Sequence, residues 1–205
     1  MAHPPRKINP SPYNHLEELQ QFQRIKRRDA AAFDALFCAY HARLCSFSYA
    51  IVKSSETAKE IVQTLFQKLW EDAGNLQIKT SVKAYLYQSV RNLSIDYLRQ
   101  QRSRRTYIAD EEAGPEPASP ENLEELIHNK QLVSVVQESV EKLPERCKLI
   151  FRMYWEEGLS RREIAAVLNL SPKTVETQMG RALKALRKHL TPYLSSVLIL
   201  RFFVA

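Results

Sequence analysis

Lys173, Thr177, Arg181, Lys184 and Lys188 recur at three- and four-residue steps. That spacing lines them along one side of a helix. Val175, Met179, Ala182, Leu186 and Leu190 supply an apolar stripe for the other side. Cations and hydroxyls turned away from a core are suited to nucleic acid. Ammonium and guanidinium groups neutralise phosphates, while groups in the first turns of such a helix can meet base edges. Lys173, Glu176 and Thr177 would take the base edges, and Arg181, Lys184 and Lys188 the phosphates. A phosphate backbone would repel Glu176, so it needs a base amino group or a flanking side chain as partner. A helical hairpin with a merely solvated basic side carries the same pattern.

The elements that would position this face are legible upstream. Ser171 can cap the basic helix, and Pro172 suits its first position, where no amide hydrogen is needed. Asn169, Leu170 and Ser171 form the preceding turn. Ser160 with Glu163 three residues on has the spacing of a capping box. The helix it opens turns Ile164, Ala165 and Leu168 inward, and Ala165 and Ala166 let a neighbour approach closely. Before it, Pro144 opens a helix with Cys147, Ile150, Phe151 and Tyr154 on its buried face, stopped at Glu157 and Gly158. A helix, a short turn and a capped basic helix make a helix-turn-helix, with duplex DNA as partner.

The first half of the chain reads as helical almost throughout. In the segment from Asp29 to Lys53, Phe33, Leu36, Phe37, Tyr40, Leu44 and Phe47 lie near one face. His41 reads as a surface or boundary residue, without a local acid or nucleophile. From Thr57 to Trp70, Ile61, Val62, Leu65, Phe66 and Leu69 bury, leaving Lys59, Glu60, Gln63, Gln67 and Lys68 outside. That polar face meets either water or a protein partner. From Ala84 to Arg99, Leu86, Val90, Leu93 and Tyr97 suit the buried side. Tyr85, Tyr87, Arg91, Asn92, Asp96 and Arg99 are candidates for exposure, followed by the basic cluster from Gln101 to Arg105. Rings and guanidinium groups interleaved in this way suit unpaired bases and their phosphates.

The expected architecture is all-α, with two helical domains joined by an acidic flexible linker. A disordered segment spans 1–12, a first helical domain 13–106, the linker 107–125, the helix-turn-helix domain 126–191 and an apolar tail 192–205. Asp110 to Pro120, DEEAGPEPASP, is acidic and broken by proline and glycine, between basic flanks. It is either an expanded tether or an imitation of nucleic acid that shields basic surfaces. The tail is too short to cross a bilayer and carries Arg201. It packs on a neighbour or binds a partner, and no stable membrane insertion is expected.

A formal net charge of +7 favours polyanionic partners. Cys38, Cys45 and Cys147 form no CxxC pair and read as buried free thiols of a reducing compartment. Without an amino-terminal hydrophobic segment, a cytoplasmic location is expected. There is no His/Cys set with ligand spacing and no phosphate-binding glycine loop, and the paired acids Glu111 and Glu112 lie in the linker. Neither enzymatic activity, a cofactor nor a metal is expected. A one-component repressor or activator could use the same helix-turn-helix beside a ligand or dimerisation domain. It would leave the aromatic and basic surface from Lys83 to Arg105 unexplained.

Four segments carry a family resemblance: AKEIVQTLFQKLWE from Ala58, KAYLYQSVRNLSIDYLRQQRSRR from Lys83, LPERCKLIFRMYWEEGLSRREIAAVLNLSPKTV from Leu143, and ETQMGRALKALRKHL from Glu176. In this order around an acidic linker they resemble the extracytoplasmic-function sigma factors of the bacterial sigma-70 family. The resemblance implies a protein that binds core RNA polymerase and directs initiation at promoters. Glu60, Gln63, Gln67 and Trp70 would dock the beta-prime clamp helices, although Lys59 departs from a commonly acidic position. The beta flap is the second polymerase contact implied. The loop from Leu76 to Lys83 would capture a flipped base of the minus-ten element. The minus-ten contacts implied are Lys79, Lys83, Tyr87, Arg91, Asn92 and Arg99, with Asp96 in the surrounding pattern. Lys173, Glu176, Thr177, Arg181, Lys184 and Lys188 would read the minus-thirty-five element. The tail and the last segment also resemble sigma factors of Bacteroidetes, which implies an anti-sigma factor as a further partner.

Overall fold

The computed structural model describes residues 15–105, apart from 79, and residues 136–190. The segments expected at 1–12, 107–125 and 192–205 lie outside the described residues. All regular elements described are helices, and they fall into two groups in sequence, one on each side of residues 106–135.

The first unit contains α1 (His15–Lys26), α2 (Ala30–Val52), α3 (Ser55–Asp72) and α4 (Val82–Arg105). Local chemistry sets the ends of these helices. Asp29 caps α2 by accepting the Ala32 amide at 3.1 Å, and Arg24 adds an ion pair at 2.8 Å. The amide first and the guanidinium second hold the Asp29 carboxyl below its ordinary range. Lys53 ends α2 in the left-handed region, at φ 59. Ser54 caps α3 through the Thr57 amide, and Ser81 caps α4 through the Ala84 amide.

Helix α2 packs against α1, α3 and α4. Leu36, Tyr40, Leu44 and Phe47 form its buried stripe, facing a core that includes Ile61, Val62, Leu65, Phe66, Leu69, Leu86 and Val90. Full burial of each such side chain contributes roughly 1.5–3 kcal/mol. By length and composition α2 could cross a membrane, but this stripe gives it the part of a core helix.

Two features of the core depart from the sequence expectation. Leu93 and Tyr97 are only half-buried, whereas Lys83, Tyr87 and Ser94 are buried. The inward face of α4 is therefore rotated towards residues 83, 87, 90 and 94. Polar groups on other helices permit this: Ser48 meets Ser94 at 3.0 Å, and Glu18 lies 3.9 Å from the Lys83 ammonium. The cysteines also differ. Cys147 is buried, but Cys38 is exposed and Cys45 half-buried, because they sit beside the α2 stripe rather than in it. Burial raises the Cys45 thiol pKa.

The second unit contains a helical segment at 136–141, then α5 (Glu145–Trp155), α6 (Arg161–Leu168) and α7 (Pro172–Leu190). Gly158, at φ 70, terminates α5 while the Leu159 amide donates back to the Met153 carbonyl at 3.0 Å. Cys147, Ile150 and Phe151 are buried as expected, but Tyr154 is half-buried, and Met153 and Trp155 are buried instead. In α6, Val167 is buried and Leu168 only partly so. All five residues of the α7 apolar stripe are buried. Lys148 and Arg152 on α5 both pair with Glu141, tying the 136–141 segment to α5.

Candidate nucleic-acid and protein interfaces

Helix α7 is held by its own cap and by α5. Ser171 Oγ accepts the Thr174 amide at 3.0 Å and lies 2.8 Å from the Thr174 hydroxyl. The turn before it places Asn169 in the left-handed region, at φ 53, which asparagine tolerates better than most residues. The Leu170 amide then donates to the Ala165 carbonyl at 2.8 Å. Ser160 and Glu163 exchange reciprocal hydrogen bonds at 2.8 and 3.2 Å, the geometry of a capping box. Across the core, the Cys147 thiol donates to Gln178 Oε1 of α7 at 3.1 Å.

This frame leaves Lys173, Glu176, Thr177, Arg181, Lys184 and Lys188 exposed together on α7. Glu176 has the flanking partner its charge calls for, since Lys173 Nζ lies 3.1 Å from its carboxylate. Thr177 donates its hydroxyl hydrogen to the Lys173 carbonyl at 2.9 Å, leaving its lone pairs outward. The result is a mainly cationic ridge with hydrogen-bonding groups in its first turns, a surface whose chemistry suits a DNA groove.

The first unit offers two surfaces. On α3, Glu60, Gln63 and Gln67 are exposed and Trp70 partly so. Gln67 donates to Glu71 at 2.9 Å. The Trp70 ring packs against Phe33 at 5.0 Å and lies under the Arg28 guanidinium at 5.5 Å. Arg28 also donates to the Trp70 carbonyl and, at 3.0 Å, to the Glu71 carbonyl. It thereby satisfies the end of α3 while holding its own backbone at φ 65. No local pattern marks Arg28, because its partners come from a helix far along the chain. Changing Arg28→Ala should lower stability by about 1–2 kcal/mol, read as a shifted urea midpoint. Arg28→Gly should lose less, since glycine relieves the left-handed strain. Equal losses would mean that the backbone conformation contributes nothing.

On α4, Asn92, Asp96 and Arg99 are exposed and Arg91 is half-buried, with Arg99 3.6 Å from Asp96. Lys83 and Tyr87 do not join them. Lys83 is 7% exposed beside Glu18, and Tyr87 is 1% exposed with its ring against Phe47 at 5.0 Å. Neither belongs to a surface that could stack on bases or neutralise phosphate. Lys79 lies outside the described residues. His41 stacks on Phe37 at 4.6 Å and touches Cys45 at 3.7 Å, a boundary position.

Residues 36–104 match the family model Sigma-70 region 2, and residues 134–186 match Sigma-70, region 4. Together these matches cover more than half of the chain. The ECF RNA polymerase sigma factor SigW of Bacillus subtilis is 25% identical over 179 residues, covering 83% of this chain and 95% of that protein. The ECF RNA polymerase sigma-E factor of Escherichia coli is 26% identical over 178 residues, covering 83% and 92%. In fold, the chain is similar to CnrH, solved in complex with the cytosolic domain of CnrY. The TM-score is 0.52 at 20% identity, over 85% of this chain and 97% of that one.

Proposed function

Because the chain belongs to the sigma-70 family, in its extracytoplasmic-function group of RNA polymerase sigma factors, we propose that its two helical units divide promoter recognition between them. The first, 13–106, docks core polymerase through Glu60, Gln63, Gln67 and Trp70. It presents Arg91, Asn92 and Arg99 to the unpaired minus-ten element. The second, 126–191, reads the minus-thirty-five duplex with α7. The observation that carries this reading is the exposed basic ridge of α7 above a fully buried apolar stripe. Extruding a base at the minus-ten end costs a few kcal/mol, offset by contacts to the captured base.

The beta-prime clamp helices and the beta flap are the polymerase surfaces implied. Bond making belongs to polymerase, and the factor supplies placement and promoter choice in the cytoplasm. An anti-sigma factor is the regulatory partner, a reading supported by the fold's likeness to the sigma factor RpoE of Bartonella quintana, solved in complex with the anti-sigma factor NepR.

Reconstituted transcription with core polymerase and a genomic promoter library tests the whole assignment. Specific initiation that depends on the chain is expected, and its failure despite polymerase binding would overturn the assignment. For the docking face, the Glu60→Ala, Gln63→Ala double variant should bind core polymerase about tenfold more weakly while keeping its helicity. Native affinity in the folded double variant would remove α3 from the docking surface.

A further inference from the structure

Gly180 lies in the interior of α7 and is exposed. Only proline is less favourable than glycine inside a helix, so the residue weakens the element that carries the recognition surface. Nothing among the described residues calls for it. Among the described residues the left-handed glycine is Gly158, and Gly180 keeps an ordinary helical backbone. Among the described residues a Cβ built at Gly180 meets nothing within 4 Å, so close packing against them does not account for it either.

Its place on the helix is informative. Gly180 follows Glu176 and Thr177 by about one turn, precedes Lys184 by about one turn and adjoins Arg181. A helix with its side chains is roughly 10–12 Å across, and the major groove is about 12 Å wide. In so close a fit, a missing side chain governs how deeply the helix sits. We propose that Gly180 is a specificity-determining position of the DNA-reading face, at which base edges of the duplex come up to the helix backbone between Thr177 and Lys184. This rests on the reading of α7 as the upstream reader. It adds that DNA is read there by shape, through a gap, as well as by hydrogen-bonding side chains.

The test uses the full chain assembled with core polymerase, and duplexes that the native assembly selects from a random library. Gly180→Ala is expected to raise Tm by about 4 °C and yet to weaken binding of the selected duplex about tenfold. Gly180→Gln is expected to weaken it further and to select a different sequence. The salt dependence of binding should stay native in both variants, because no phosphate contact is removed. A Lys173→Ala, Thr177→Ala double variant runs alongside. If that variant loses binding while Gly180→Ala binds as the native chain does or more tightly, the gap is overturned and the reading of α7 stands. If neither changes binding, α7 is not the reader and the inference falls with it.

Discussion

Replacing Lys83 with alanine is expected to destabilise the first unit by about 3 kcal/mol, not to weaken DNA contact in a protein of native stability. The lysine side chain is 9% exposed and that of Glu18 is 3% exposed, with the two charges 3.9 Å apart. The Tyr40 hydroxyl donates to the same carboxylate at 2.5 Å. Three helices, α1, α2 and α4, thus meet at one ionic cluster. Removing the cation leaves a buried carboxylate short of its counter-charge, and such losses run to about 3–5 kcal/mol. The separation is at the long end for an ion pair, so the lower figure applies. Urea denaturation measures the loss. A Glu18→Gln, Lys83→Met double variant, which removes both charges together, should recover part of it. A Lys83→Ala protein with a native urea midpoint and defective promoter opening would return Lys83 to the DNA surface.

That prediction reverses the part that sequence resemblance implies for Lys83, and the reason is physical. Helical periodicity ranks residues by polarity, so it suits Leu93 and Tyr97 to the inward face of α4 and marks neither Lys83 nor Ser94 as buried. Burial of a lysine or serine becomes favourable only when a partner waits inside. Here the partners are Glu18 on α1 and Ser48 on α2, neither of which α4 itself reveals. Arg28 was illegible for the same reason, since both carbonyls it satisfies belong to the far end of α3. Cys38 and Cys45 show a related limit. Seven residues apart, they share one side of α2, but the buried side is set by Leu36, Tyr40, Leu44 and Phe47.

Features fixed by neighbours in sequence were legible. The capping box at Ser160, the turn at Asn169 and the Ser171 cap each depend on atoms within a few residues. The α7 stripe was legible because one apolar side and one charged side leave a single way to orient a helix on a core. All six candidate residues of α7 are therefore exposed together, whereas the candidates on α4 reduce to Arg91, Asn92 and Arg99 among the described residues.

The second large effect should separate two kinds of contact on α7. Lys184 and Lys188 lie one turn apart near the end of the helix and are both exposed. Charges so placed act on phosphates as general attraction, through displaced counterions. Each lost phosphate contact lowers the slope of log affinity against log salt by about 0.9. The Lys184→Ala, Lys188→Ala double variant should therefore bind promoter duplex with a slope smaller by about 2. Its deficit should be greatest at low salt and should narrow as salt rises, with the ranking of DNA sequences unchanged. Lys173 and Thr177 should behave differently. The lysine is oriented by Glu176, and the threonine is anchored to the Lys173 carbonyl. Two groups fixed in the first turns of a reading helix discriminate bases, and a lost base contact costs about 1–3 kcal/mol at its own position. Changing them should alter sequence preference with a smaller change in slope. Affinity measured across a salt series on a set of single-base promoter variants distinguishes the two patterns. If Lys184→Ala, Lys188→Ala shifted sequence preference while the salt slope stayed native, the two pairs would exchange roles. The helix would then read DNA with its last turns and hold the backbone with its first.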